Sequence, residues 1–159
     1  MGRGHLIRLT GAYALGLVLA AAVPAAAAAH RVPWRLLERG VATGGVTTQE
    51  AVLAGSRNAA HRLAVRVPPS AGQTVLRLDY RLHVALGVFG EFGCRDHRVR
   101  LAGIDRVGSR LAVRLVLDPL KPGVMECQAR YPTFRLVSLD RAGLGRPLPT
   151  RVTVTLARA

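Results

Sequence analysis

Leu82-His83-Val84-Ala85-Leu86-Gly87-Val88-Phe89 is apolar at every position but His83 and Gly87. A strand with one wet face alternates apolar and polar residues, so this run predicts a strand covered on both sides. Gly90-Glu91-Phe92-Gly93 follows as a turn, then Cys94, then two alternating runs, His97 to Val107 and Arg110 to Leu117. Between them sits Gly108-Ser109, a glycine-first pair suited to a two-residue type II′ hairpin turn.

The hairpin has a register that can be worked out. Pairing across Gly108-Ser109 sets Ile104 opposite Val113. Continued without interruption, it would leave Val99 opposite Asp118. One extra residue at Ala102-Gly103, a β-bulge, corrects this by setting Leu101 opposite Leu115 and Val99 opposite Leu117. Val99, Leu101, Ile104, Val113, Leu115 and Leu117 then share one face, and Arg98, Arg100 and Arg114 are expected on the other, wet face.

Upstream, residues 1 to 29 have the layout of an export signal. Arg3 and Arg8 supply a positive start, Gly11 to Val23 a short apolar run, and Ala25 to Ala29 small residues for cleavage. The apolar run is short for a membrane span, and His30 and Arg31 follow at once. An uncleaved N-terminal anchor is the rival reading. Cleavage after Ala29 leaves residues 30 to 159, enough for one domain with a core and with no stable membrane span.

His30 to Gly45 reads as irregular, with Trp34 and Leu36-Leu37 as anchors and glycines 40, 44 and 45 breaking any helix. Thr47 lies three residues before Glu50, a capping-box spacing that predicts a short helix to about Gly55. Leu63 to Val67 alternates as a strand and stops at Pro68-Pro69, and Val75 to Leu78 is a further short strand. Beyond the hairpin, Asp118 to Gly123 is a loop, Val124 to Arg130 is expected along a sheet edge, and Phe134 to Leu139 is a strand. Arg141 to Pro149 turns the chain into a last strand, Arg151 to Leu156. Many short strands with turns between them predict a mainly β fold: a single sandwich-like or partly open barrel domain with one short helix, preceded by a signal peptide.

The chain has 23 Lys and Arg against 9 Asp and Glu, a formal charge of +14. Without Arg3 and Arg8, 21 basic side chains face 9 acidic ones, a net +12. Such a field attracts nucleic acid, anionic envelope polymers or acidic proteins. The arginines are scattered rather than blocked, and only seven residues are aromatic. No nucleic-acid partner is therefore expected, because a base-stacking platform is poorly supplied.

The order of features resembles the C-terminal domain family of the protease complex subunit PrcB. The pieces that carry this are Leu36 to Gly45, Val46 to Gly55, Leu78-Asp79-Tyr80 with Leu82 to Phe89, Gly90 to Gly93, Val99 to Leu117, and Tyr131 to Leu139. The family's usual Thr-Gly-Gly-Tyr-like turn is replaced here by Glu91-Phe92-Gly93-Cys94, and its helix tryptophan is absent. The resemblance implies an exported, non-enzymatic domain that associates with a protease and stabilises or modulates it.

Cys94 and Cys127 are the only cysteines. An even count in an exported chain predicts one disulfide. The rival is a zinc site in which Cys127 completes the Cys94-x-x-His97 spacing, but that set is short of ligands. No cofactor and no metal are expected. His83 reads as a core-edge residue, and Asp96, Asp105, Asp118 and Glu126 lack the paired spacing of hydrolytic carboxylates.

Arg95, Arg98 and Arg100 form the densest basic cluster, readable as a solvated strand face or as an anion site. With Glu91, Phe92 and Tyr131 they are the candidate partner-binding residues. The leading expectation is a secreted or cell-envelope domain that binds a protein, through loops such as Gly90 to Arg95 and Lys121 to Pro132. The alternative is an envelope protein that binds anionic polymers through its arginine faces. An enzyme is the reading with least support.

Overall fold

The computed structural model describes residues 28–43 and 48–159. Among these residues eight strands form two four-stranded sheets. The strands are β1 (His30–Arg31), β2 (Trp34–Val41), β3 (Glu50–Ala54), β4 (His83–Gly90), β5 (Val99–Val107), β6 (Arg110–Leu117), β7 (Thr133–Asp140) and β8 (Arg151–Arg158). One sheet runs β2-β7-β4-β3, the other β1-β5-β6-β8. Neither closes into a barrel, although the edge strands β3 and β8 lie against each other. The fold is mainly β, as expected. The segment read as an export signal lies outside the described residues, apart from Ala28 and Ala29.

From His83 on, the apolar run from Leu82 to Phe89 falls in β4, which is covered on both sides. Val84, Leu86 and Val88 pack toward the second sheet, with Ile104, Val113 and Leu115. Ala85 and Phe89 pack the other way, onto Ala60, Leu63 and Val75 of two helices. These helices, α1 (Arg57–Ala64) and α2 (Pro69–Leu76), make a third layer. Gly87 is where that layer comes closest: a Cβ there would lie 2.5 Å from Leu63 Cδ1.

The hairpin register holds residue for residue. Val99 pairs with Leu117, Leu101 with Leu115 and Ile104 with Val113, and the register shifts between Leu101 and Gly103. Gly108 has φ 58°, and among the described residues no non-glycine, Ser109 included, has positive φ, the sign pattern of a type II′ turn. All six apolar residues belong to the inter-sheet core, Leu101 and Leu117 at its margin. On the outer side, Arg100 pairs with Asp118 at 2.9 Å and Arg114 with Asp105 at 3.0 Å. Arg98 departs from expectation: it ends a 3-10 turn, Gly93–Arg98, rather than lying on the strand face.

Several local expectations are corrected. The helix predicted up to Gly55 is strand β3, whose Glu50 forms an ion pair with Arg66 instead of a capping contact. Leu63 to Val67, expected as a strand, covers the last two residues of α1 and the turn that follows. Ser56 caps that helix by accepting the Ala59 N–H at 3.3 Å, and Ala60, Leu63 and Val67 follow helical spacing into the core. Val75 to Leu78 is likewise no strand but the end of α2, because Pro69 opens a helix at its first position instead of closing a strand. Trp34 to Val41, read as irregular, is an eight-residue strand on β7 with a bulge at Leu37. Val124 to Arg130 joins no sheet; it is an exposed strap.

Candidate functional site

The two loops named from the sequence meet at one end of the sandwich. Cys94, in the 3-10 turn after β4, is disulfide-bonded to Cys127 on the strap, with Cα atoms 5.9 Å apart. Two backbone bonds reinforce the seam: Gly93 N–H donates to Tyr131 O and Cys94 N–H to Ala129 O, each at 3.2 Å. Gly93 permits this approach because it has φ 54°, and a Cβ there would collide with the Ala129 carbonyl. The disulfide consumes both thiolates of the zinc alternative, and His97 Nδ1 donates to the Cys94 carbonyl at 2.7 Å.

Beside this seam lies a half-open cavity of about 260 Å3. Its position follows from strand ends: Glu91 and Phe92 come just after β4, Val99 begins β5, Leu117 ends β6, and Thr48 and Gln49 precede β3. Leu156 of β8 and Arg130 of the strap complete it. Phe92, Val99, Leu117 and Leu156 are its apolar lining. Thr48, Gln49, Glu91, Arg95 and Arg130 are its polar lining. Small-molecule sites typically occupy roughly 300–1,000 Å3, so this space suits an inserted side chain better than a cofactor.

Of the candidate partner-binding residues, Glu91, Phe92 and Arg95 line the cavity, and Phe92 is buried within it. Tyr131 stands exposed at the strap's end. Arg98 and Arg100 are elsewhere engaged. Arg98 donates to Glu126 Oε1 and to the Asp118 carbonyl, both at 2.9 Å, and Arg100 is held by Asp118. Arg95 reaches the same Glu126 only at 3.7 Å. One carboxylate thus serves two guanidinium groups, and the cavity side of the cluster keeps excess positive charge.

Sequence reasoning missed the group that supports this turn from beneath. Arg135 of β7 is 2% exposed and pairs with Asp96 Oδ1 at 2.8 Å. Its Nη2 also donates to the Asp96 and Val99 carbonyls at 2.9 and 2.7 Å. Phe92 stacks on it, with its ring centroid 5.3 Å from Arg135 Cζ. Thr133 Oγ1 lies 3.0 Å from the same Asp96 oxygen. Burial pushes the Arg135 guanidinium below its ordinary pKa, and Asp96 opposes that shift. An arginine at an inward position of an apolar strand was the available signal.

A second depression brings His83, Ser138 and Asp140 onto one wall, residue types that recur in hydrolases. Asp140 spends Oδ1 on the Ala142 N–H at 3.0 Å. Among the described residues no side-chain hydrogen bond joins His83 to Ser138 or Asp140, although His83 and Asp140 pair across β4 and β7, so the base–nucleophile contact of a triad is not formed. Likewise no cluster of three or more potential metal ligands occurs among them. Comparison with protein-family models, curated proteins and solved structures found no match to this chain.

Proposed function

We propose that this chain is an exported, non-catalytic protein-binding domain whose contact surface is the disulfide-fixed seam between the Gly90–Arg95 turn and the strap. The observation that carries this reading is the exposure of Met125 (92%) and Val124 (54%) on a segment that a covalent bond anchors beside a side-chain-sized cavity. Apolar side chains held out in solvent next to a concave site are typical of a docking surface. Pre-ordering by the disulfide lowers the entropy lost on binding.

Export is supported by the signal-like leader and by the place where pairing starts among the described residues: His30 opens β1 opposite Arg106, and its ring bonds the Gly143 carbonyl. Cleavage after Ala29 would leave that strand whole. A protease is the partner class suggested by the resemblance to the PrcB C-terminal domain family. One piece of that resemblance, the short helix before Gly55, is a strand here. The anionic-polymer alternative is weakened by the pairing of Arg98, Arg100 and Arg114 with acidic residues.

The test is capture of partners from secreted and envelope fractions at low and high salt, with wild-type protein and with Met125→Ser. A protein retained at high salt and lost with the variant is the expected result. Capture of polymer alone, released by salt and indifferent to the variant, would favour the alternative.

A further inference from the structure

We infer that the cavity beside the disulfide seam selects a partner segment in which an apolar side chain stands next to a carboxylate. This rests on the protein-binding reading and specifies its chemistry. The apolar part follows from Phe92, Val99, Leu117 and Leu156, which supply the apolar portion of the lining of a space of about 260 Å3. The acidic part follows from the charges around that space. Arg95 shares Glu126 with the closer Arg98, and Arg130 is in no ion pair among the described residues. Guanidinium groups bind carboxylates strongly because the planar fork matches both oxygens.

Glu91 is the one acidic residue of the lining, and its place is set by pairing. Glu50 lies opposite Phe89, so continuing the β3–β4 register puts Gln49 by Gly90 and Thr48 by Glu91. Arg130 comes from the strap, where its Cα would lie 2.9 Å from a Cβ on Gly93. The lining therefore carries two guanidinium groups, Arg95 and Arg130, against the single carboxylate of Glu91. A bound carboxylate belongs against Arg95 and Arg130, with Glu91 the one like charge of the lining that opposes it.

Two exposed residues of one cavity should then shift affinity in opposite directions. The experiment selects a random peptide display library on the oxidised protein and measures synthetic winners by calorimetry. Enriched peptides should share an apolar residue adjacent to aspartate or glutamate. Arg130→Gln should weaken their binding about tenfold, the scale of a charge-assisted hydrogen bond. Glu91→Gln should strengthen it about two- to threefold by removing an exposed like charge.

Arg62→Gln, on the exposed side of α1 and carrying the same charge change as Arg130→Gln, should alter affinity less than about twofold. Replacing the peptide's acid by its amide should repeat the Arg130→Gln loss. Equal weakening by Arg130→Gln and Arg62→Gln would show only the general positive field and overturn the inference. So would a common direction for Glu91→Gln and Arg130→Gln, indifference to the amide, or no enrichment at all. In each of those cases the effect of Met125→Ser in partner capture still decides the protein-binding reading by itself.

Discussion

Arg135 shows how one residue can set the shape of a binding surface it does not line. Its guanidinium carries Phe92 on one face and ties Asp96 and Val99 together, so the turn after β4 rests on a buried ion pair. Such a pair contributes little net stability as a pair, but a lone buried charge is costly. Asp96→Asn should therefore destabilise the domain by about 3–5 kcal/mol in denaturant unfolding. Adding Arg135→Met should recover part of that loss, because the orphaned charge is gone. If the double variant is less stable than Asp96→Asn alone, the ion pair is more than a neutralised burial. Tyr80 gives a pH signature at the same scale. Its hydroxyl donates to the Val75 carbonyl at 3.0 Å, and burial pushes its pKa from 10.0 up to about 12. Since the folded value is the higher one, the neutral phenol's contribution is complete below pH 10 and is lost as pH rises toward 12. Tyr80→Phe should flatten the fall in stability across that window, as thermal melts at stepped alkaline pH would show.

At the scale of elements, the strands with strong period-two patterns were legible and the helices were not. β4, β5, β6, β7 and β8 follow from apolar runs and turn chemistry, and the bulge at Ala102-Gly103 follows because only one register keeps Val99 and Leu101 inside. The helical layer escaped because its apolar residues fit two periods. Leu63, Val65 and Val67 alternate, yet Val65 is 77% exposed while Ala60, Leu63 and Val67 form the buried stripe. Serine at the cap and proline at a first position are the discriminating signals, set against an alternation that makes Pro68-Pro69 look like the end of a strand. β3 shows the converse, where pairing onto a fully buried neighbour outweighs a capping-box spacing. The cavity was half legible: the turn supplied Glu91, Phe92 and Arg95, but Arg130, Leu156 and Thr48 converge only through the sheet topology. The close approach of α1 to β4 makes a direct test of the layering. In Gly87→Val, the added Cβ would meet Leu63 Cδ1 at 2.5 Å and Phe89 Cε2 at 2.9 Å. Overpacking of this kind costs about 1–3 kcal/mol. Leu63→Ala in the same chain should relieve the clash, so the two substitutions should be less than additive. Full additivity in urea unfolding would mean that Leu63 does not sit over Gly87.

For the molecule as a whole, the Cys94–Cys127 bond does two things that can be separated. It spans 33 positions, and the loop it closes contains the entire β5–β6 hairpin, the centre of the second sheet. A constraint of that length on the unfolded chain contributes about 3–4 kcal/mol to global stability. Locally, it is the only covalent tie on a strap whose residues 121 to 131 are all exposed. Without it the strap would keep two backbone bonds to the 3-10 turn and the ion pairs of Glu126, each weak in solvent. Cys127→Ala should accordingly lower the melting temperature by on the order of 10 °C, since about 1 kcal/mol moves a domain of this size by a few degrees. Partner binding should weaken by more than the small unfolded fraction at 25 °C explains, because Arg130 would no longer be held at the cavity nor Met125 on a fixed strap. The core is built from Val84, Leu86, Ile104, Val113 and their neighbours, none of them on the strap, so the variant should still fold. Intact-mass measurement before and after thiol alkylation of wild-type protein recovered from the export compartment checks the premise. Two free thiols there, or an unchanged melting temperature and affinity in Cys127→Ala, would remove the disulfide from both roles.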